Sequence, residues 1–153
     1  MKILFVCYGN ICRSPMAEII LKDMVNKKGI VNEFFIDSAA TSNCNELEGA
    51  GIYGDTKKVL RQMNIPFKEH KSRQIRKEDY DKFDYILAME DKNIPDILKI
   101  VGNDTENKIY KLLDFTENPR NIADPWYTGD FITTYYDIVY GCEEFLKYII
   151  KKD

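Results

Sequence analysis

One histidine, His70, and four scattered cysteines (Cys7, Cys12, Cys44, Cys142) are all that the chain offers a soft metal ion. Cys7 and Cys12 are five apart and no second close pair follows, so the spacing excludes a zinc finger or ribbon. Long apolar runs are missing as well. "MKILFVC" is apolar for only five or six residues before it turns polar, too short for a signal peptide or a membrane span. A cytoplasmic protein with no membrane segment is therefore expected, and in a reducing compartment four cysteines do not make a disulfide framework. Nor does one sign of charge dominate. Lys and Arg number 22 against 25 Asp and Glu, a net charge of −3. The longest basic cluster, Lys71 to Lys77, is interrupted by Ser72, Gln74 and Ile75, and it reads as a solvated face, not a nucleic-acid footprint. Repeats, low-complexity tracts and linkers are absent, and 153 residues suit one domain, 1–153.

What is present is an alternation of strand and helix signals. "KILFVC" (2–7), "FFIDSAA" (34–40), "FDYILAM" (83–89) and "KIYKLL" (108–113) are compact apolar runs of buried-strand type. Between them come a helix from Pro15 to the residues before Gly29, one over 55–64 capped by Asp55, and one over 91–100. A final helix over 130–150 carries Phe131, Tyr135, Ile138, Val139, Cys142, Phe145, Leu146 and Ile149 along one face. The order predicts a single α/β domain with a central four-stranded parallel sheet and helices on both faces. Ligands of such sheets bind outside the carboxyl ends of the strands, where Cys7 falls.

The loop "CYGNICRS" after the first strand has the parts of a phosphate cradle. A strand-to-helix loop turns backbone N–H groups toward one point, and the helix start adds partial positive charge. Gly9 permits a backbone that a side chain would forbid, and Asn10 tolerates the left-handed region. Arg13 offers a rigid fork for two oxygens of a tetrahedral dianion. Cys7 beneath those N–H groups is placed to stand as a thiolate, with Ser14 as a donor to it. A lone cysteine is more often a small core residue. Cys-x5-Arg-Ser-Pro between the first strand and the first helix asks much more of coincidence. The loop is neither the dinucleotide fingerprint nor a Walker loop, since the spacing and the lysine are missing.

"VCYGNICRSPMAE" resembles the signature of the low-molecular-weight protein tyrosine phosphatases, and "DSAATSNCN", "DYILAME" and "DPWYTGDF" resemble further landmarks of that family. The resemblance implies phosphotyrosine hydrolysis through a cysteinyl-phosphate on Cys7, with phosphate held by Arg13 and the loop from Tyr8 to Ser14. It implies Asp124 as general acid, then base, and Trp126 and Tyr127 as walls for a substrate ring. Tyr8 and Ile11 are expected to project toward the mouth. Ser38 and His70, with Asn10, match positions that hold the loop by hydrogen bonds. Cys12 matches a second cysteine associated with reversible oxidative inactivation. No metal or cofactor is implied. The partners expected are tyrosine-phosphorylated proteins and phosphate-like oxyanions, and the chain is expected to act as a monomer.

The sequence also departs from the familiar pattern. Tyr8 stands where a smaller apolar residue is common, Cys44 where animal members carry an aromatic, Trp126 where Tyr is frequent, and Glu90 replaces an aspartate. Three alternatives follow from related proteins or from the loop itself. Arsenate reductases use additional cysteines in a later segment, and "KFDYILAMEDKN" has none. Arginine phosphatases favour threonine where Ile11 stands, and isoleucine suits a flat aromatic ring better than a guanidinium. A non-enzymatic phosphate-binding module has no need of both Cys7 and Asp124. Cys142, on the apolar face of the last helix, reads as core.

Overall fold

A computed structural model describes residues 1–152. Its strands are β1 (Lys2–Cys7), β2 (Phe35–Ala40), β3 (Tyr85–Ala88) and β4 (Ile109–Lys111). Its helices are α1 (Arg13–Lys27), α2 (Cys44–Leu47), α3 (Gly54–Gln62), α4 (Asp79–Lys82), α5 (Asn93–Val101), α6 (Pro125–Thr128) and α7 (Phe131–Lys152). All strand pairs are parallel, in the order β2-β1-β3-β4.

Successive side chains of a strand face opposite sides of its sheet, and β1 is apolar on both. Ile3, Phe5 and Cys7 join a core built with α1, α3 and α7, whereas Leu4 and Val6 join a second core with Tyr80 and Phe83 near α4 and Ile97 and Val101 of α5. Tyr85 and Leu87 of β3 divide in the same way from Ile86 and Ala88. The expected α/β fold, a four-stranded parallel sheet covered on both faces, is the one observed. Cys142 is fully buried in the first core, and burial pushes its thiol well above the ordinary range.

Beyond shifts of one or two residues at other ends, three local boundaries differ from the sequence expectation with a physical reason. Helix α1 starts at Arg13, not Pro15, because the first helical bond runs from Met16 N to Cys12 O at 3.1 Å. Pro15 then lies within the first turn, where a missing N–H costs nothing. Helix α3 begins at Gly54 with Tyr53 as its unassisted N-cap, so Asp55 sits inside the first turn, beside the positive end of the dipole. Strand β4 has only three residues, since the chain tightens into a 3-10 turn, Leu112–Phe115, that buries Leu112 and Leu113.

The β1–β2 register pairs Cys7 with Ala40, so both strands end at one edge. The loop 8–12, the segment after β2 and the segment before α6 converge there. No helix among the described residues is long and apolar enough to cross a membrane.

Candidate active site

Cys7 is 3% exposed and lies at the floor of a pocket of about 200 Å3, with Asn10 N donating to its Sγ at 3.2 Å and Ser14 Oγ 3.0 Å away. Tyr8, Gly9, Ile11, Cys12, Arg13, Asp124, Trp126 and Tyr127 line the same pocket, joined by Asn45, which sequence reasoning did not single out. Residues 7–13 and 124–127, more than a hundred positions apart, thus share one cavity.

Asn10 carries the left-handed backbone of the loop, at φ +56°. Gly9 does not. The space at Gly9 is limited by Asn45 Nδ2, which an added Cβ would meet at 2.8 Å. The Asn10 side chain is a hub: Nδ2 donates to Ser14 Oγ at 2.7 Å and to Ser38 Oγ at 3.0 Å, while Oδ1 accepts from Arg73 N at 3.2 Å. His70 Nε2 lies 2.8 Å from the same Oδ1 and, facing an acceptor, carries its hydrogen there. Ser38 Oγ in turn donates to Glu18 Oε1 at 2.6 Å. Ser38 and His70 therefore meet Asn10 behind the loop.

Glu18, Asp37 and His70 bring ligating atoms within 4.8 Å of one another. Both carboxylates are already paired, Glu18 with Lys22 at 2.6 Å and Asp37 with Arg73 at 3.1 Å.

The Lys71–Lys77 stretch is not merely a solvated face. Ser72 is 4% exposed and donates to Gly9 O at 2.9 Å, and Arg73 forks between Asp37 and Asp79. Burial opposes the Arg73 charge, but Asp79 and Asp37 outweigh it and hold the guanidinium above its ordinary pKa. The stretch clamps the loop from outside. A basic run carries no sign of this, because Gly9 and Asp37 lie elsewhere in the sequence and nothing local marks Asp79 as a partner of Arg73.

Arg13 is 3% exposed. Its Nη1 donates to a Glu90 carboxylate oxygen and to Ile122 O at 2.9 Å, and its Nη2 lies 3.3 Å from Asp124 Oδ2. Three of the five guanidinium donors are engaged, which leaves two, the number a bidentate grip on an oxyanion requires. Glu90, which the sequence marked only as a departure, is thus a partly buried partner of the Arg13 charge, with its side chain 15% exposed.

Asp124 is the N-cap of α6, and its Oδ1 accepts from Trp126 N at 3.0 Å, which leaves Oδ2 toward Arg13. The preceding residues are fixed by Ile122 N to Met89 O at 2.9 Å and by Thr134 Oγ1 to Ala123 O at 3.1 Å. Trp126 is 58% exposed, but its ring rests edge-on against Tyr53 at 5.2 Å, and Tyr53 stacks on Phe131 at 5.9 Å. Tyr127 and Tyr8 stand exposed at the rim. Cys12 is buried, and burial pushes its thiol up to about 12.

The model of the family described as low molecular weight phosphotyrosine protein phosphatase matches residues 2–153. The chain is 39% identical over 152 residues to the low molecular weight protein-tyrosine-phosphatase YfkJ of Bacillus subtilis, covering 98% of this chain and 96% of that protein. The crystal structure of YfkJ superposes with a TM-score of 0.93 at 38% identity, covering 100% of this chain and 96% of that one. A protein tyrosine phosphatase from Entamoeba histolytica, with Hepes in the active site, gives 0.90 at 30% identity over 99% and 98% of the two chains. The Drosophila arginine phosphatase gives 0.86 at 32% identity over 97% and 98%.

Proposed function

This chain belongs to the low molecular weight phosphotyrosine protein phosphatase family and is a hydrolase of that class, and on that premise we propose that it cleaves phosphotyrosine by two successive displacements on Cys7. The observation that carries the reading is the meeting of Cys7, Arg13 and Asp124 in one pocket, with an N–H and a hydroxyl on the sulfur.

In the first step the Cys7 thiolate attacks phosphorus opposite the phenolic oxygen. The S–P bond forms as the P–O bond breaks, and Asp124 supplies the proton that the leaving phenoxide needs. Arg13 and the loop N–H groups hold the equatorial oxygens, whose charge grows in the transition state. In the second step Asp124, now a carboxylate, takes a proton from water. That water attacks phosphorus, the S–P bond breaks, and phosphate leaves with the thiolate restored. Ile11 and the buttressed Trp126 offer flat apolar walls to an aromatic ring, which favours phosphotyrosine over phosphoarginine.

The test is a panel of phosphotyrosine, phosphoserine and phosphoarginine peptides beside aryl phosphates of graded leaving-group acidity. Turnover of phosphotyrosine well above the other two is expected, and faster phosphoarginine hydrolysis would overturn the substrate reading. In the same panel Asp124→Asn should slow poor leaving groups by about 100-fold or more and good ones much less. An equal loss across the series would leave Asp124 a structural cap only.

Cys12 gives the site a route to reversible silencing. Peroxide that enters the pocket converts the Cys7 thiolate to a sulfenic acid, and the Cys12 thiol condenses with it, forming a disulfide and releasing water. Oxidised protein should lose two hydrogens by intact mass and regain activity with a dithiol. Cys12→Ser should be active but recover poorly after the same treatment; full recovery would make Cys12 a packing residue.

A further inference from the structure

The peptide unit between Gly9 and Asn10 has both polar atoms committed. Its N–H donates to Cys7 Sγ at 3.2 Å. Its oxygen accepts twice, from Ser72 Oγ at 2.9 Å and from Asn45 Nδ2 at 3.0 Å. In a planar trans peptide the C=O and N–H point in opposite directions. Two donors that fix the oxygen therefore fix the direction in which the hydrogen faces the sulfur. They also draw electron density toward the oxygen, which makes the N–H a stronger donor.

The two donors come from segments whose main chains are tied independently of those side chains. Ser72 N donates to Ala50 O at 2.9 Å, Gly51 and Lys71 form an antiparallel bridge, and Ala50 N donates to Asn45 O at 2.9 Å. Removing the Ser72 hydroxyl thus leaves the frame in place. Ser72 is buried and, unlike Asn45, does not line the pocket, so it acts only through the loop.

We propose that Ser72, together with Asn45, is a positioning residue for the nucleophile, aiming and strengthening the Asn10 N–H that holds the Cys7 sulfur. This rests on the reading of Cys7 as nucleophile. A donor that is weaker or misdirected holds the charge on the sulfur less firmly, so both alkylation of Cys7 and its attack on phosphorus slow.

The test compares wild type with Ser72→Ala and Ser72→Thr in kcat/KM for aryl phosphates and in the rate at which iodoacetamide alkylates the Cys7 peptide at about pH 5, followed by mass spectrometry. Ser72→Ala should lose about three- to tenfold in kcat/KM, the worth of one hydrogen bond, equally for good and poor leaving groups. Its Cys7 should be alkylated several-fold more slowly, and Ser72→Thr, which keeps the hydroxyl, should recover both. Wild-type alkylation and kcat/KM in Ser72→Ala, or a threonine variant no better than alanine, would overturn the positioning role. Wild-type protein that stays active after complete alkylation of Cys7 would instead overturn the nucleophile reading itself.

Discussion

Cys7→Ser is expected to abolish turnover of every phosphate ester while the protein stays folded. A hydroxyl at neutral pH has no anionic form comparable to a thiolate, and the nearest neighbours of the sulfur do not include a base for serine: Asn10 N donates to it and Ser14 Oγ, a hydroxyl, lies 3.0 Å away. The loss should be about five orders of magnitude or more, the scale on which a hydrolase loses its nucleophile. The side chain is buried and changes little in volume, so thermal melting should match wild type. The variant should still bind inorganic phosphate, because Arg13 and the loop N–H groups are untouched. Activity above a trace would remove Cys7 from the mechanism.

Arg13→Lys is the second large effect. Lysine keeps the charge but offers a single nitrogen where Arg13 engages Glu90, Ile122 O and Asp124 and leaves two donors over. It cannot satisfy the Glu90 carboxylate and the Ile122 carbonyl and also grip a phosphate with two parallel bonds. A fall of about 100- to 1000-fold in kcat/KM is expected, comparable to the removal of an oxyanion donor. Weaker protection by inorganic phosphate against iodoacetamide should accompany it. Stability should fall by about 1–3 kcal/mol, since Ile122 O or Glu90 is left without its partner. Near-normal kinetics would mean that the loop does not bind phosphate through the guanidinium.

The chain's own order determined the parallel α/β sheet, because alternating apolar runs and helical periodicities are local patterns, written within each segment. It also placed Cys7 and Arg13 at the two ends of one short loop: five residues between a strand end and a helix start leave little freedom in where they go. The family resemblance then supplied Asp124, which an Asp-Pro pair alone could not have identified. Only the tertiary structure decided what surrounds these residues. Glu90 meets Arg13 from 77 positions away, Ser72 meets Gly9 from 63, and Asn45 meets it from 36. The Lys71–Lys77 run looked like solvated charge because its hydrogen-bond partners sit on other elements, and the Glu90 departure had no legible role because the guanidinium it meets is in another segment. Periodicity records which face of an element is buried, but a single polar contact between distant segments leaves no repeating mark in either, so it exists only once the sheet has brought the strand ends to a common edge.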